Sequence, residues 1–113
     1  MYFSRDSDVK YADTFSVKLF IGGDIAVVKQ TCREFCMEKG LCVTVDPTTF
    51  IYTGGEEQGA VIGFINYPRF PVESGHLQSL AEELGHMLMN RCFQKSFTVQ
   101  GPSTTSYHSR ITE

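Results

Sequence analysis

The chain has 113 residues and a formal net charge of −3, with acids and bases interspersed along it. That length bounds it to one domain able to bury roughly two-thirds of the surface of its unfolded form. The charge offers no basic stripe for nucleic acid, the apolar runs are too short to cross a bilayer, and the start MYFSRDSDVK lacks the basic and apolar regions of a secretory leader, so a cytoplasmic protein with neither nucleic acid nor membrane as partner is expected.

Residues 1–14 are polar and mixed in charge, with Tyr2, Phe3 and Tyr11 as isolated aromatics. They read as an N-terminal arm that orders by docking, ahead of one domain over residues 15–113. From Phe15 the pattern alternates: Phe15, Val17, Leu19 and Ile21 share one face, and Ser16, Lys18 and Phe20 the other, which predicts a first strand ended by Gly22 and Gly23. Asp24 offers an N-cap, Ile25, Val28, Cys32, Phe35 and Cys36 recur at helical spacing, and Gly40 supplies a left-handed stop.

Leu41, Val43 and Val45 begin a second strand, which Pro47 must bend or shift to an edge before Phe50, Ile51 and Tyr52. A loop is expected from Tyr52 to Gly59, then a central strand to Tyr67 that is apolar on both sides. After the break at Pro68 and Pro71, Ser74 is the expected cap of a second helix burying Leu77, Leu80, Ala81, Leu84 and Leu88. Ser96 to Gln100 reads as a fourth strand, Gly101 and Pro102 as a turn, and Thr104 to Ile111 as an edge strand.

This order predicts an α+β, ferredoxin-like βαββαβ sandwich, an antiparallel sheet with both helices on one face. Strands apolar on both sides leave the other face in need of cover, which favours a trimer or dimer.

The four cysteines, Cys32, Cys36, Cys42 and Cys92, are too few and unevenly placed for a secreted disulfide framework, and reduced thiols are expected. Cys32 and Cys36 share a helix face, yet no second pair stands at complementary metal-ligand spacing, so a packing stripe is the simpler reading. His76, His86 and His108 read as isolated surface or helix residues. No P-loop, dinucleotide fingerprint, metalloprotease helix or strand-elbow serine occurs, and no metal or cofactor is expected.

What remains is the stretch Tyr52-Thr53-Gly54-Gly55-Glu56-Glu57-Gln58-Gly59, an aromatic hydroxyl and two adjacent acids among three glycines that let a ligand approach backbone, which reads as the floor of a small-molecule site. The plain alternative is a solvated hairpin with two surface acids. A second polar cluster, Ser103, Thr104 and Thr105, could supply hydroxyls to the same cleft.

The run from Gly40 to Tyr52 (GLCVTVDPTTFIY), then Glu56 and Glu57 leading into a strand, resembles the bacteriophage S-adenosylmethionine (SAM) lyases, also described as SAM hydrolases. The stretch Ser96 to Val99, followed by Pro102 to Thr105, is similar to that family's last strand and hydroxyl-rich exit. The resemblance spans about residues 15–110. It implies a PII-like homotrimer with SAM bound between subunits, Tyr52 as the active-site tyrosine, Glu57 as the important glutamate and Glu56 as the adjacent acid. It further implies cleavage of SAM to 5′-methylthioadenosine and homoserine lactone, which would deprive host restriction and modification systems of their methyl donor.

Such a reaction suits a sparse site. The substrate's own carboxylate attacks its γ-carbon as the neutral thioether leaves, so charge is annihilated, and a dry cleft with a folded pose supplies most of what is needed. An acid held against the sulfonium would stabilise the ground state, so Glu57 is expected to anchor ribose hydroxyls or the ammonium. Tyr52 would orient the chain or touch the cation, and Thr53, Gly54 and Gly55 would admit the substrate against backbone. The alternative is a PII-like nucleotide-binding or host-interaction module without chemistry. The absence of any Lys or Arg from Thr53 to Tyr67 disfavours phosphate recognition by this loop.

Overall fold

A computed structural model describes residues 8–110. Residues 1–7 of the expected arm, and Ile111 of the expected last strand, lie outside that range. The elements run β1 (Ser16–Gly22), α1 (Ile25–Lys39), β2 (Thr44–Tyr52), β3 (Gly55–Ile65), α2 (Ser74–Arg91), β4 (Ser96–Gln100) and β5 (Thr105–Ser109). The five strands form one sheet in the order β2-β3-β1-β4-β5, with every neighbouring pair antiparallel. Removing β5 leaves the 2-3-1-4 order of a split βαβ repeat, compatible with a ferredoxin-like fold.

Helix α1 begins where the sequence signals it, because the Asp24 carboxylate accepts from the backbone N–H groups of Ala26 and Val27 at 3.1 and 3.2 Å. It ends at Gly40, whose φ of 70° turns the chain while its N–H donates to the Cys36 carbonyl. Helix α2 starts differently from expectation. Glu73, not Ser74, occupies the cap position, and its side chain makes no capping bond; with Pro71 and Val72 setting the entry, tertiary packing starts this helix rather than a side-chain cap.

Both helices lie on one face. There Val17, Leu19 and Ile21 of β1, Ala60, Ile62 and Phe64 of β3, and Phe97 and Val99 of β4 meet Val28, Cys32 and Phe35 of α1 and Leu77, Leu80, Ala81, Leu84 and Leu88 of α2. Thr31, the one buried hydroxyl-bearing side chain among the described residues, donates to the Val27 carbonyl at 2.8 Å. Asn66 fastens the two loop segments at the sheet's end, donating to the Asp13 carbonyl and accepting from the Val72 N–H.

Strand β2 runs unbroken through Pro47, which pairs with Ala60. It tolerates the missing N–H because β2 is an edge strand with a neighbour on one side only. The largest departure from expectation is the segment Tyr52–Gly59, which is not a loop. Only Thr53 and Gly54 turn the chain, Gly54 with φ 88°, and β3 is already paired from Gly55.

Candidate functional site

Strand β3 pairs with β1 only from Gly59 to Ile65, whereas its first four residues pair with β2 alone. At about 3.4 Å per residue, the β2–β3 hairpin therefore projects about 14 Å beyond the end of β1. Every residue from Ile51 to Gln58 is exposed.

Register decides which side chains meet there. Directly paired residues share a face, and faces alternate along a strand. Leu19 and Ile21 point to the helices, so Phe20 and Gly22 belong to the helix-free face, and Gly59, the partner of Gly22, lies on that face too. Two-residue steps place Glu57 and Gly55 on it, and cross-strand pairing adds Phe50 opposite Glu57 and Tyr52 opposite Gly55. Glu56 and its partner Ile51 point the other way. The adjacent acids are thus separated by the sheet itself, which relieves the repulsion their sequence suggests.

Three glycines on this face leave space that larger side chains occupy. The Tyr52 ring lies over Gly55, where a Cβ would come within 3.1 Å of Tyr52 Cε2. The Phe50 ring lies over Gly59, with Cε2 2.6 Å from the position a Cβ would take. The Glu57 carboxylate lies over Gly22, its carboxyl carbon 2.6 Å from such a Cβ. Gly59 is also required by backbone, since a Cβ there would overlap the Ile21 carbonyl oxygen. Among the described residues neither the Glu57 carboxylate nor the Tyr52 hydroxyl has a hydrogen-bond or ion-pair partner. On the opposite side of the hairpin, Thr49 Oγ1 donates to Gln58 Oε1 at 3.2 Å.

Tyr52 and Glu57 are therefore brought to one face, with Thr53 and Gly54 at the tip beside them. Ser103, Thr104 and Thr105 are not. Thr105 pairs with Gln100, Gln100 with Lys18, and Lys18 with Gly63, six residues along β3 from Glu57. That is about 20 Å along the strand direction within one chain. Beside these hydroxyls lies an open groove of about 480 Å³ lined by Phe15, Ser16, Lys18, Gln100 and Pro102.

Elsewhere, a groove of about 490 Å³ runs between α1 and β2, lined by Cys32, Cys36 and Cys42 with Leu41, Val43 and Val45. Burial raises the Cys32 thiol to about 12 and raises that of Cys36 as well, so both are neutral packing groups. Among the described residues no three His, Cys, Asp or Glu side chains are placed to hold a metal ion. Two histidines read as isolated are in fact neighbours: the His86 and His108 rings are 5.5 Å apart, and His108 stacks on Phe97 at 4.6 Å. Ser106 Oγ lies 2.9 Å from His108 Nε2 and donates to Glu82 Oε2 at 3.2 Å. This cluster fastens β5 to α2 on the helix side, away from the hairpin.

Sequence reasoning missed Phe50 and Gly22, whereas Gly59 lay within the stretch it singled out. Their signal was period two: Phe50 stands two residues before Tyr52, and alternation alone puts both on one face.

No protein-family profile and no curated protein matches the chain. Two solved structures share its fold. One is a phage SAM lyase in the apo state, with a TM-score of 0.69 and 19% identity over 88% of this chain and 92% of that one. The other is a phage SAM lyase in complex with S-methyl-5′-thioadenosine, with a TM-score of 0.64 and 16% identity over 90% and 94%.

Proposed function

We propose that this chain is a SAM lyase, cleaving SAM to 5′-methylthioadenosine and homoserine lactone. The observation that carries the reading is the meeting of Tyr52 and Glu57 on one face of a projecting hairpin, in a fold shared with phage SAM lyases across nearly the whole chain. Among the described residues the Glu57 carboxylate, held over a glycine, has no partner, and neither has the Tyr52 hydroxyl two strand positions nearer the tip. Both are free to receive a ligand.

In the proposed mechanism a carboxylate oxygen of SAM attacks its own γ-carbon. The bond from that carbon to sulfur breaks, its electron pair returns to sulfur, and the thioether leaves without needing a proton. The protein's work is to hold the reacting atoms in line and keep water out. Glu57 binds ribose hydroxyls or the ammonium, groups whose charge does not change during reaction, and Tyr52 orients the aminobutyrate chain. Glu56, on the opposite face of the hairpin, would serve the same ligand only through a second subunit.

The roughly 20 Å between Glu57 and Thr105 supports a site shared between copies, in which the hairpin of one chain meets Ser103, Thr104 and Thr105 of another. A homotrimer in the cytoplasm of a phage-infected host, removing the methyl donor that restriction and modification systems use, is the setting this reading entails. A nucleotide-binding module without chemistry is less well supported, since the hairpin lacks any Lys or Arg for phosphate.

Incubating the purified protein with SAM and separating the products by chromatography tests the proposal. Methylthioadenosine and homoserine lactone should accumulate, and Glu57→Gln should lower kcat/KM by 100-fold or more while the oligomeric state is unchanged, on the order expected for losing a charged contact to substrate. Full turnover by Glu57→Gln would remove that residue from the mechanism, and no methylthioadenosine from the wild type would reject the lyase.

A further inference from the structure

We propose that Phe50 is a substrate-positioning residue whose ring, seated over Gly59 beside the Glu57 carboxylate seated over Gly22, is the wall against which the purine of a nucleoside sulfonium stacks. The proposal rests on the functional reading above and adds to it the subsite for the base. Phe50 is the direct cross-strand partner of Glu57, which sets their Cβ atoms about 4.5–5.5 Å apart on the helix-free face.

The ring and the carboxylate lean onto two glycines that are themselves register partners, Phe50 onto Gly59 and Glu57 onto Gly22. An aromatic plane and an unpaired acid are therefore side by side above bare backbone. No helix packs on this face, so Phe50 contributes nothing to the core under α1 and α2, and it is half-buried with Gly59 beneath it.

Tyr52 serves the base less well. It leans onto Gly55, two residues further toward the tip than Glu57, and is 57% exposed. A purine ribonucleoside fits the spacing better with its base on Phe50 and its ribose hydroxyls toward Glu57. Every purine has a π face, so this wall reads the base by stacking and is indifferent to the charge on sulfur.

Titration calorimetry with adenosine, S-methyl-5′-thioadenosine and SAM tests the assignment. Phe50→Leu should weaken all three about tenfold, and Phe50→Tyr should restore them, since stacking of a base on an aromatic ring is of that size. Glu57→Gln provides the contrast, because it leaves the stacking wall intact. The chain contains no tryptophan, so Phe50→Trp installs a single indole reporter. Its fluorescence should be quenched by adenosine and by S-methyl-5′-thioadenosine but not by S-methylmethionine, a sulfonium without a base.

Unchanged affinities in Phe50→Leu, or no quenching of Phe50→Trp at saturating S-methyl-5′-thioadenosine, would overturn the role of Phe50 while leaving the lyase reading in place. Weakening confined to SAM would assign the ring to the cation instead and equally overturn it. A wild-type protein that binds none of the three ligands would reject the site itself, and this proposal with it.

Discussion

Strand β3 is two strands in one. From Gly59 to Gly63 it is paired with both β1 and β2, and Ala60, Ile62 and Phe64 are buried under the helices. From Gly55 to Gln58 it has one partner strand, no helix on either side, and only exposed residues. The inner half is held by apolar burial, the dominant source of stability. The outer half is held by its backbone ladder and a few cross-strand contacts, so the side chains with unpaired polar groups are the ones whose loss the fold tolerates best.

The sharpest way to break that contrast is to empty the core. Leu84→Ala removes a fully buried side chain of α2 and should lower the free energy of unfolding by about 2–5 kcal/mol in urea titration. Glu57→Gln, on the outer half, should change it by less than about 0.5 kcal/mol. A variant at the junction sharpens the boundary. Gly59→Ala drives a Cβ into the Ile21 carbonyl oxygen and should cost about 1–3 kcal/mol, with hydrogen exchange of the hairpin amides accelerated more than that of Ile62 or Phe64.

A further effect is a dependence on alkaline pH to which the buried thiols of the covered half contribute. Burial raises Cys32 from an ordinary value of 9.0 to about 12, and raises Cys36 and Cys92 as well. In the unfolded chain these thiols ionise near 9.0, whereas in the fold they keep their protons. The unfolded state therefore gains as pH rises, and stability that is fully present below pH 9.0 is lost progressively up to about 12. Tm measured from pH 8 to 11 should fall, and Cys32→Val should flatten the slope.

Much of the covered half could be read from the sequence. The stripe in α1 and its stop at Gly40, the buried stripe of α2, and the alternation of β1 all follow from local periods and caps that the packed structure keeps. The outer half was harder to read for a physical reason. Gly54, Gly55 and Gly59 are loop signals when taken alone, yet two of the three sit inside a regular strand where larger side chains from neighbouring positions lie over them. A glycine under a ring and a glycine in a turn look alike in sequence; only the register separates them. The same holds for Glu56 and Glu57, which the strand sends to opposite faces, and for Ser103 to Thr105, whose distance from the hairpin depends on pairings through four strands. At Ser74 the expected cap failed because packing, not a side-chain bond, starts α2.

Pro47 has one more effect, on how copies of the chain can add to one another. It stands in the middle of an outermost strand and interrupts the row of amide donors that a foreign strand would need to zip on in register. Growth by adding strand to strand is thereby obstructed along that border.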